Sequence, residues 1–251
     1  MADRSTSISP VLARQLRVAA RAVARAGLVH AYGHCSIRID VRQFIVSPPK
    51  PLGLVVANDA PVIVPIQGAL PADALPEVRA HQCIYQRRPD VQAVVRFQSP
   101  RVMTLSTLGR TPQARHGFGA YFAPHAPLYD NPRLVRDDAS AAAVAEMLGA
   151  GRAVVMRGNG AIAVGTSIEE AVAMAWYLED AARVELEVLS TGLEGPTFTP
   201  EEARDRAVTA GRLIERMWDW LTAGDPESHA IETENPIKLR AHANEREVFH
   251  E

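Results

Sequence analysis

Residues 76–100, PEVRAHQCIYQRRPDVQAVVRFQSP, join a helix to a short apolar strand. The pattern predicts a helix over residues 77–88 that ends at Pro89, because proline removes a backbone donor and clashes with the preceding turn. The apolar run over residues 91–97 is short enough to be a buried strand. Arg96 lies inside this run, where a charged side chain needs an anionic partner or a cavity.

Helices and short strands alternate on both sides of this stretch. Residues 35–40 and 42–47 alternate with period two and predict a β-hairpin that turns near Asp40. Further strands are predicted over residues 54–56, 62–65, 153–156 and 161–164, and helices over 10–28, 101–108, 138–148 and 168–190. Because strands and helices alternate without a strict period, we expect a single α/β domain with a central mixed or antiparallel sheet flanked by helices.

The bulk composition excludes several classes of partner. The chain has 251 residues, 22% of them charged, and a formal net charge of −2, which gives no reason to expect a nucleic acid or an anionic membrane as partner. No stretch is apolar for long enough to span a bilayer, and the first residues do not resemble a signal peptide. We therefore expect a cytoplasmic protein with a core over residues 1–195. Residues 196–251 are expected to form a helix and a polar tail that pack on that core or on a neighbouring subunit.

General catalytic motifs are absent from the sequence. It has no GxGxxG loop after a strand, no Walker loop, no GxSxG elbow and no HExxH helix. No two of the eight histidines have the HxH spacing of a metal site on a strand. A lone histidine is more often a surface or structural residue than a catalytic one.

Three segments, in order along the chain, nevertheless resemble the class II aldolase/adducin family. These are YGHCSIRID…RQFIVSP over residues 32–48, the stretch over residues 76–100, and AVVMRGNGAIAVGTSIEEAVAMAWYLEDAARVELEVL over residues 153–189. The resemblance covers about residues 10–195 and implies this family's three-layer fold. It also implies a homotetramer with its site at a subunit boundary, where the C-terminal segment of one subunit can lend a residue to the next.

The three metal positions implied by this resemblance carry other residues here. Metal-dependent relatives bind a divalent cation through two histidines on the strand and one in a GHG turn, and these positions hold Arg96, Gln98 and Asn159. A protonated guanidinium has no lone pair to donate, and neutral amide oxygens are poor zinc ligands. We therefore expect no metal and no cofactor at this site.

The phosphate-binding residues implied by the resemblance are also missing. Pro48 and Pro49 stand in the loop where relatives bind a sugar phosphate, and proline has no N–H group to offer an anion. His34 in the GHxS segment resembles instead the branch that decarboxylates hydroxyaromatic or pyridine carboxylic acids. The expected substrate is a small carboxylate or carbonyl compound without phosphate.

Glu77, His34 and Arg96 are the predicted catalytic residues. Glu77 matches the family's acid/base carboxylate, although a carboxylate at a helix N-terminus is also favoured by the helix dipole alone. His34 is the second candidate for proton transfer. Arg96 either pairs with Glu77 in an inactive site or replaces the metal, by binding a substrate carboxylate or stabilising an enolate.

The remaining predicted site residues are substrate contacts. Gln98 and Asn159 either orient a carbonyl or hydroxyl group or fill the space that the metal would take. His116, Tyr121 and His125 lie on a loop rich in glycine and proline and are expected at the rim of the pocket.

The preferred interpretation is a carbon–carbon lyase that works without the family's metal, as a decarboxylase or by aldol-type cleavage. A metal-free dehydratase or cyclase of a specialised pathway is one alternative. A non-catalytic protein that uses the fold for binding or assembly, as the adducin head does, is the other.

Overall fold

The strand predicted over residues 91–97 lies at the centre of a seven-stranded sheet, in a computed structural model that describes residues 8–228. The helices are α1 Pro10–Arg25, α2 Arg79–Arg87, α3 Pro100–Thr107, α4 Asp138–Leu148, α5 Ile168–Ser190, α6 Pro200–Arg206 and α7 Leu213–Thr222. The strands are β1 His34–Arg38, β2 Gln43–Val46, β3 Val62–Pro65, β4 Ala93–Phe97, β5 Leu128–Tyr129, β6 Ala153–Met156 and β7 Ala161–Gly165.

The sheet has the order β3-β2-β1-β4-β7-β6-β5. All neighbouring strands are antiparallel except β5 and β6, which are parallel. The predicted α/β fold with a mixed, largely antiparallel sheet is therefore confirmed. The register places His34 of β1 directly opposite Arg96 of β4.

Helices cover both faces of the sheet and give a three-layer arrangement. One core cluster joins α1, α3 and α5 to β4 through Ala93, Val95 and Phe97. The other joins α2 and α4 to the same strand through Val94. Since side chains on a strand alternate between its faces, Arg96 lies on the α2 face together with Val94.

The predicted β-hairpin is confirmed, and one predicted strand is wrong. The side chain of Asp40 accepts hydrogen bonds from the backbone N–H groups of Arg42 and Gln43, at 2.7 and 2.9 Å, which closes the turn between β1 and β2. Residues 54–56 were expected to form a strand. Instead, Leu52–Leu54 is a short 3₁₀ helix in which the Leu54 N–H bonds to the Pro51 carbonyl. The fixed φ of Pro51 favours such a turn.

Two glycines allow loops to approach the end of β4. Gly160, in the turn between β6 and β7, has φ +80°, and a Cβ atom there would lie 2.0 Å from the carbonyl oxygen of Phe97. Gly33, just before β1, has φ +155°, and a Cβ atom there would lie 3.0 Å from the carbonyl oxygen of Arg96. Any larger residue would push these loops away, so the glycines bring Asn159 and His34 next to Arg96.

The C-terminal part of the described chain packs on the same core. Leu221 of α7 belongs to the cluster formed by α1 and α5, and Trp218 packs against it. The division at residue 195 stays a prediction, as does any packing on a neighbouring subunit. The residues before 8 and after 228, including the predicted polar tail, lie outside the described residues. No helix within residues 8–228 is both long and apolar enough to cross a membrane.

An ion-pair cluster, here called the C-terminal clamp, fixes this packing. Three arginines at successive turns of α1 contact two acidic residues that follow α7; its members are Arg17, Arg21, Arg25, Asp225 and Glu227. Arg21 donates two bonds of 2.8 Å to the carboxylate of Asp225, whose side chain is fully buried. A two-pronged contact of this kind orients both groups.

We expect Asp225→Ala to lower the free energy of unfolding by about 3 kcal/mol, because it leaves the largely buried Arg21 without its main partner. Urea denaturation measures the change. Asp219→Ala, at an exposed position of α7, is the matched control and is expected to change the value by less than about 0.5 kcal/mol. Equal unfolding midpoints for the two variants would contradict a stabilising role for the clamp.

Candidate active site

Arg96 is the centre of the candidate site. Its side chain is almost completely buried, at 6% exposure. One terminal nitrogen, Nη2, donates to the side-chain oxygen of Asn159 at 2.7 Å and to the Asn159 backbone oxygen at 3.1 Å. Gln98 completes this environment when its amide oxygen is turned towards the guanidinium, 3.1 Å from Nη2 and 3.3 Å from Nη1. The structure thus brings together Arg96, Gln98 and Asn159, the three residues that the resemblance places at metal positions.

The guanidinium of Arg96 donates its hydrogen bonds to neutral amide oxygens and not to a carboxylate. Among residues 8–228, no acidic side chain forms an ion pair with it. Burial lowers the pKa of Arg96 to about 10, and the negative charge of Glu77 opposes this effect. The guanidinium is therefore still protonated at neutral pH, and it is a buried cation with spare donors.

Glu77 lies near the cluster but binds a different arginine. It is half-buried in the 3₁₀ turn Pro76–Val78, just before α2, and its carboxylate accepts a 2.8 Å hydrogen bond from Nε of Arg136. The alternative in which Glu77 and Arg96 form a direct salt bridge is therefore wrong for this structure. Glu77 acts on Arg96 through its charge alone.

His34 begins a chain of hydrogen bonds that runs inward from the site. Its Nδ1 lies 2.8 Å from Nε2 of His81, whose Nδ1 lies 2.7 Å from the hydroxyl of Ser36. That hydroxyl lies 2.8 Å from the phenolic oxygen of Tyr85. All four side chains are buried. They meet because His34 and Ser36 share one face of β1, while His81 and Tyr85 are one turn apart on α2.

Both imidazoles are held in the neutral form. Burial, and after it the charges of His81 and Arg96, lower the pKa of His34 well below its ordinary value. Burial and the charge of Arg96 lower the pKa of His81 to about 3. A second cation next to the guanidinium is unfavourable, so the charge at this site is carried by Arg96.

These residues do not fit the divalent cation that the family resemblance implies. The side-chain oxygen of Asn159 already accepts from a guanidinium, which has no lone pair for a metal. His34 and His81 hydrogen-bond to each other, so one nitrogen of that contact carries a proton. Within the part of the chain that the structure describes, no three His, Cys, Asp or Glu side chains are grouped closely enough to hold a metal ion.

The other three predicted contacts lie elsewhere. His116 bonds to Asp180 at 3.0 Å, and the Tyr121 hydroxyl donates to the carbonyl oxygen of Val208. His125 lies 3.3 Å from the Thr111 hydroxyl and lines a separate cavity of about 340 Å³. None of the three hydrogen-bonds or stacks with a residue around Arg96. Their place at a pocket rim stays a prediction.

Sequence reasoning missed His81, Ser36 and Tyr85. The signal that could have found them is a pair of spacings: polar residues two apart on one strand, and two ring side chains four apart on a helix. Cys35, between His34 and Ser36, points to the opposite core and packs as a small apolar group. Burial raises the pKa of its thiol to about 12, so it is not a thiolate nucleophile at neutral pH.

A family model described as the class II aldolase and adducin N-terminal domain matches residues 14–186 of the chain. The chain belongs to this family. The match includes β1, α2, β4 and the turn that carries Asn159. It therefore covers Arg96 and the residues described around it: His34, Ser36, Glu77, His81, Tyr85, Gln98 and Asn159. The resemblance noted from the sequence motifs is confirmed.

Relatives within the class II aldolase family are named as decarboxylases. The 3,4-dihydroxyphthalate decarboxylase of Arthrobacter keyseri is 29% identical over 198 residues, which are 70% of this chain and 78% of the relative. The decarboxylase TropJ of Talaromyces stipitatus is 27% identical over 227 residues, 76% of this chain and 85% of the relative. These names support the prediction of an enzyme of the carbon–carbon lyase type.

A solved structure of the family has the same fold. The aldolase II superfamily protein from Pseudomonas syringae aligns with a TM-score of 0.74 at 19% identity and covers 93% of this chain and 96% of its own. At this identity the likeness concerns the fold alone. The cytoplasmic location and the homotetramer stay predictions.

The buried histidines predict how stability depends on pH. The unfolded chain binds protons on both imidazoles below about pH 6.5, whereas the folded chain does not until far lower pH. The free energy of unfolding should therefore fall as the pH drops from 6.5 towards 4, by up to about 1.4 kcal/mol per pH unit for each histidine.

We expect His81→Gln to make this dependence shallower by roughly 1 kcal/mol per pH unit, as measured by urea unfolding at several pH values between 4 and 7. His30→Gln, at an exposed position before β1, is the control and should leave the slope unchanged. A His81→Gln protein with the slope of the unmodified chain would show that His81 is not neutral in the folded state.

Proposed function

We propose that this chain is a decarboxylase that acts on a small hydroxyaromatic or keto carboxylic acid without phosphate, and that Arg96 supplies the positive charge that a metal supplies elsewhere in the family. The observation that carries the proposal is the environment of Arg96: a protonated guanidinium, 6% exposed, whose hydrogen bonds within residues 8–228 all go to neutral oxygens. A buried cation of this kind favours the binding of an anion.

Decarboxylation needs a place for an electron pair. A hydroxyaromatic acid with a hydroxyl group beside its carboxylate becomes a β-keto acid when the hydroxyl group loses its proton and a proton adds to the carbon that bears the carboxylate. The bond to the carboxylate carbon then breaks, CO₂ leaves, and the electron pair moves through the ring to the oxygen, which becomes a phenolate. A β-keto acid loses CO₂ in the same way, gives an enolate, and takes up its proton on carbon afterwards.

Arg96 is suited to the step in which the bond breaks. If the guanidinium only held the carboxylate, it would stabilise the substrate as much as the transition state and would not raise kcat. Placed at the oxygen that gains charge, it stabilises the transition state more than the substrate. Asn159 and Gln98 hold the guanidinium in a fixed orientation, so little reorganisation accompanies the reaction.

Glu77 and His34 are the two candidates for moving the proton. Glu77 lies next to the site, where its carboxylate pairs with Arg136 and its charge acts on Arg96. His34 lies opposite Arg96 in the sheet, and its Nε2 has no hydrogen-bond partner among the described residues. A group with a free nitrogen beside the fixed charge is within reach of the same substrate.

The relatives support the same class of reaction. Two of them are decarboxylases by name, and the name of the Arthrobacter keyseri enzyme specifies an aromatic dicarboxylic acid with two hydroxyl groups. 3,4-Dihydroxyphthalate is therefore the first compound to test, followed by monohydroxy and dihydroxy benzoic acids. A chain that released no CO₂ from these acids but cleaved a sugar phosphate would contradict the proposal and favour aldol chemistry.

We expect Arg96→Gln to lower kcat for CO₂ release by on the order of 10²–10³, the range for loss of one preorganised donor to a developing oxyanion. Arg96→Lys keeps the charge but not the planar fork, so it should retain part of the rate. Arg42→Gln, at an exposed position in the hairpin, is the control and should keep full activity. Circular dichroism checks that each variant is folded. Full kcat in a folded Arg96→Gln protein would rule out this role for Arg96.

We further expect the reaction to need no divalent metal. Elemental mass spectrometry of the purified protein should find far less than one equivalent of any transition metal. Dialysis against a chelator should change neither the activity nor the unfolding midpoint, because a protein that depends on a structural or catalytic metal loses one or both. About one equivalent of metal, with activity lost on chelation and restored by adding the ion, would return the chain to the metal-dependent lyases.

A further inference from the structure

The hydrogen bonds that join Tyr85, Ser36, His81 and His34 all point the same way, from donor to acceptor. The hydroxyl groups of Tyr85 and Ser36 determine which way that is. Tyr85 is 2% exposed, and among the described residues its hydroxyl has one partner, the Ser36 hydroxyl at 2.8 Å. If Tyr85 accepted in this contact, its own buried proton would have no acceptor, at a cost of about 1–3 kcal/mol. Tyr85 therefore donates to Ser36.

The remaining protons follow from this first one. A serine hydroxyl has a single proton, and Ser36 has one other partner, Nδ1 of His81 at 2.7 Å. Ser36 therefore donates to Nδ1 of His81, and the proton of the neutral His81 ring is on Nε2. That N–H donates to Nδ1 of His34 at 2.8 Å. The proton of the neutral His34 ring is then on Nε2, the nitrogen that has no partner within residues 8–228.

His34 consequently presents an N–H group beside the guanidinium of Arg96. The two residues are paired across β1 and β4 and share a face of the sheet, where the Cβ atoms of paired residues lie about 4.5–5.5 Å apart. If every hydrogen bond ran the other way, from His34 to Tyr85, Nε2 of His34 would carry a lone pair, and His34 would be a hydrogen-bond acceptor and a base. The direction of the chain thus decides between two chemical roles for the same residue.

We infer that Ser36 and His81, oriented by Tyr85, are positioning residues that fix His34 as an N–H donor towards the substrate. None of the three needs to touch the substrate. His34 and Arg96 together then offer two adjacent N–H donors to one substrate oxygen, or His34 offers its proton to the carbon that loses CO₂. The kinetic part of this inference rests on the proposed decarboxylase function, while the position of the proton on His34 does not.

The position of the proton is measured directly by NMR of protein labelled with ¹⁵N-histidine. A ring nitrogen that bears a proton and one that bears a lone pair have well-separated ¹⁵N shifts, and the spectra of His34→Gln and His81→Gln assign the signals. In the unmodified protein at pH 7, we expect both rings to carry the proton on Nε2. A proton on Nδ1 of His34 would overturn the inference, whatever the activity of the enzyme.

Removal of the Ser36 hydroxyl tests whether these hydrogen bonds fix the proton on Nε2 of His34. In Ser36→Ala, neither tautomer of His81 finds a partner at Nδ1, so His34 should become a mixture of both tautomers. We expect kcat to fall roughly 10- to 100-fold with a much smaller change in KM; a wrong tautomer of a catalytic histidine costs about 10⁴ in serine proteases. Ser36→Thr keeps a hydroxyl group and should restore most of the loss.

Tyr85→Phe is a milder variant that serves if Ser36→Ala does not fold. It removes the donor that orients Ser36 and should shift the His34 signals part of the way. Tyr177→Phe is the control. It removes the hydroxyl of another buried tyrosine that takes no part in the hydrogen bonds behind His34, and it should change neither the signals nor kcat. Tyr85→Phe and Ser36→Ala proteins with unchanged signals and unchanged kcat would contradict the inference. A protein with the expected signals but no decarboxylase activity would contradict the proposed function alone.

Discussion

Strand β4 is covered by helices on both faces, so a charged side chain on it is largely shielded from bulk water. Arg96 is such a side chain, and the hydrogen bonds from its guanidinium to Asn159 are the constraint around which this end of the molecule is arranged. The turn between β6 and β7 reaches the guanidinium because Gly160 has no Cβ atom to hold it away from β4. A side chain at that position would separate Asn159 from the charge and remove two acceptors of a buried cation, which costs more than the loss of a hydrogen bond between neutral groups.

The same charge determines the chemistry of its neighbours. Burial, together with the nearby cation, lowers the pKa of both imidazoles and keeps them neutral. A neutral ring donates at one nitrogen and accepts at the other, so it can continue a chain of hydrogen bonds in one direction, which a doubly protonated ring cannot. The polar residues on the α2 face therefore work as one unit, in which Arg96 supplies charge and the chain ending at His34 supplies an oriented proton. The opposite face of β4 has no such residues and is packed with apolar side chains and the inert thiol of Cys35.

Much of the fold follows from local sequence. The apolar run over residues 91–97 predicts the buried strand β4, and the alternating residues on either side of Asp40 predict the hairpin. The long helix α5 covers residues 168–190 as predicted, and the side chain of Ser167 caps its start by accepting from the N–H of Glu170. The prediction of a strand over residues 54–56 is wrong because the chain turns at Leu52–Leu54 and leaves Leu54 and Val56 exposed, and an apolar run does not report exposure.

The site was predictable only in part. Arg96, Gln98 and Asn159 were grouped by resemblance, and the structure brings them together. His81 was not found, since its contact with His34 depends on how α2 packs against β1, across 47 residues of chain. His116, Tyr121 and His125 share a loop, but that loop binds α5 and the segment after α6, and a shared loop does not imply a shared pocket.

The hydrogen bonds between Arg96 and Asn159 also make the effect of a substitution at one position depend on the other. A single change of Arg96 to histidine would leave Asn159 and Gln98 without the donor that they surround, and would provide one imidazole where the family's metal site uses three. A change of Asn159 alone would place an imidazole against a guanidinium, whose charge repels any cation that the new ligand could attract. Each single change lowers stability or gains no metal, so a metal site of three imidazoles would require several coordinated substitutions. The guanidinium therefore limits which substitutions this site tolerates, because a change of Arg96 or of Asn159 alone leaves a polar group of the other without its partner.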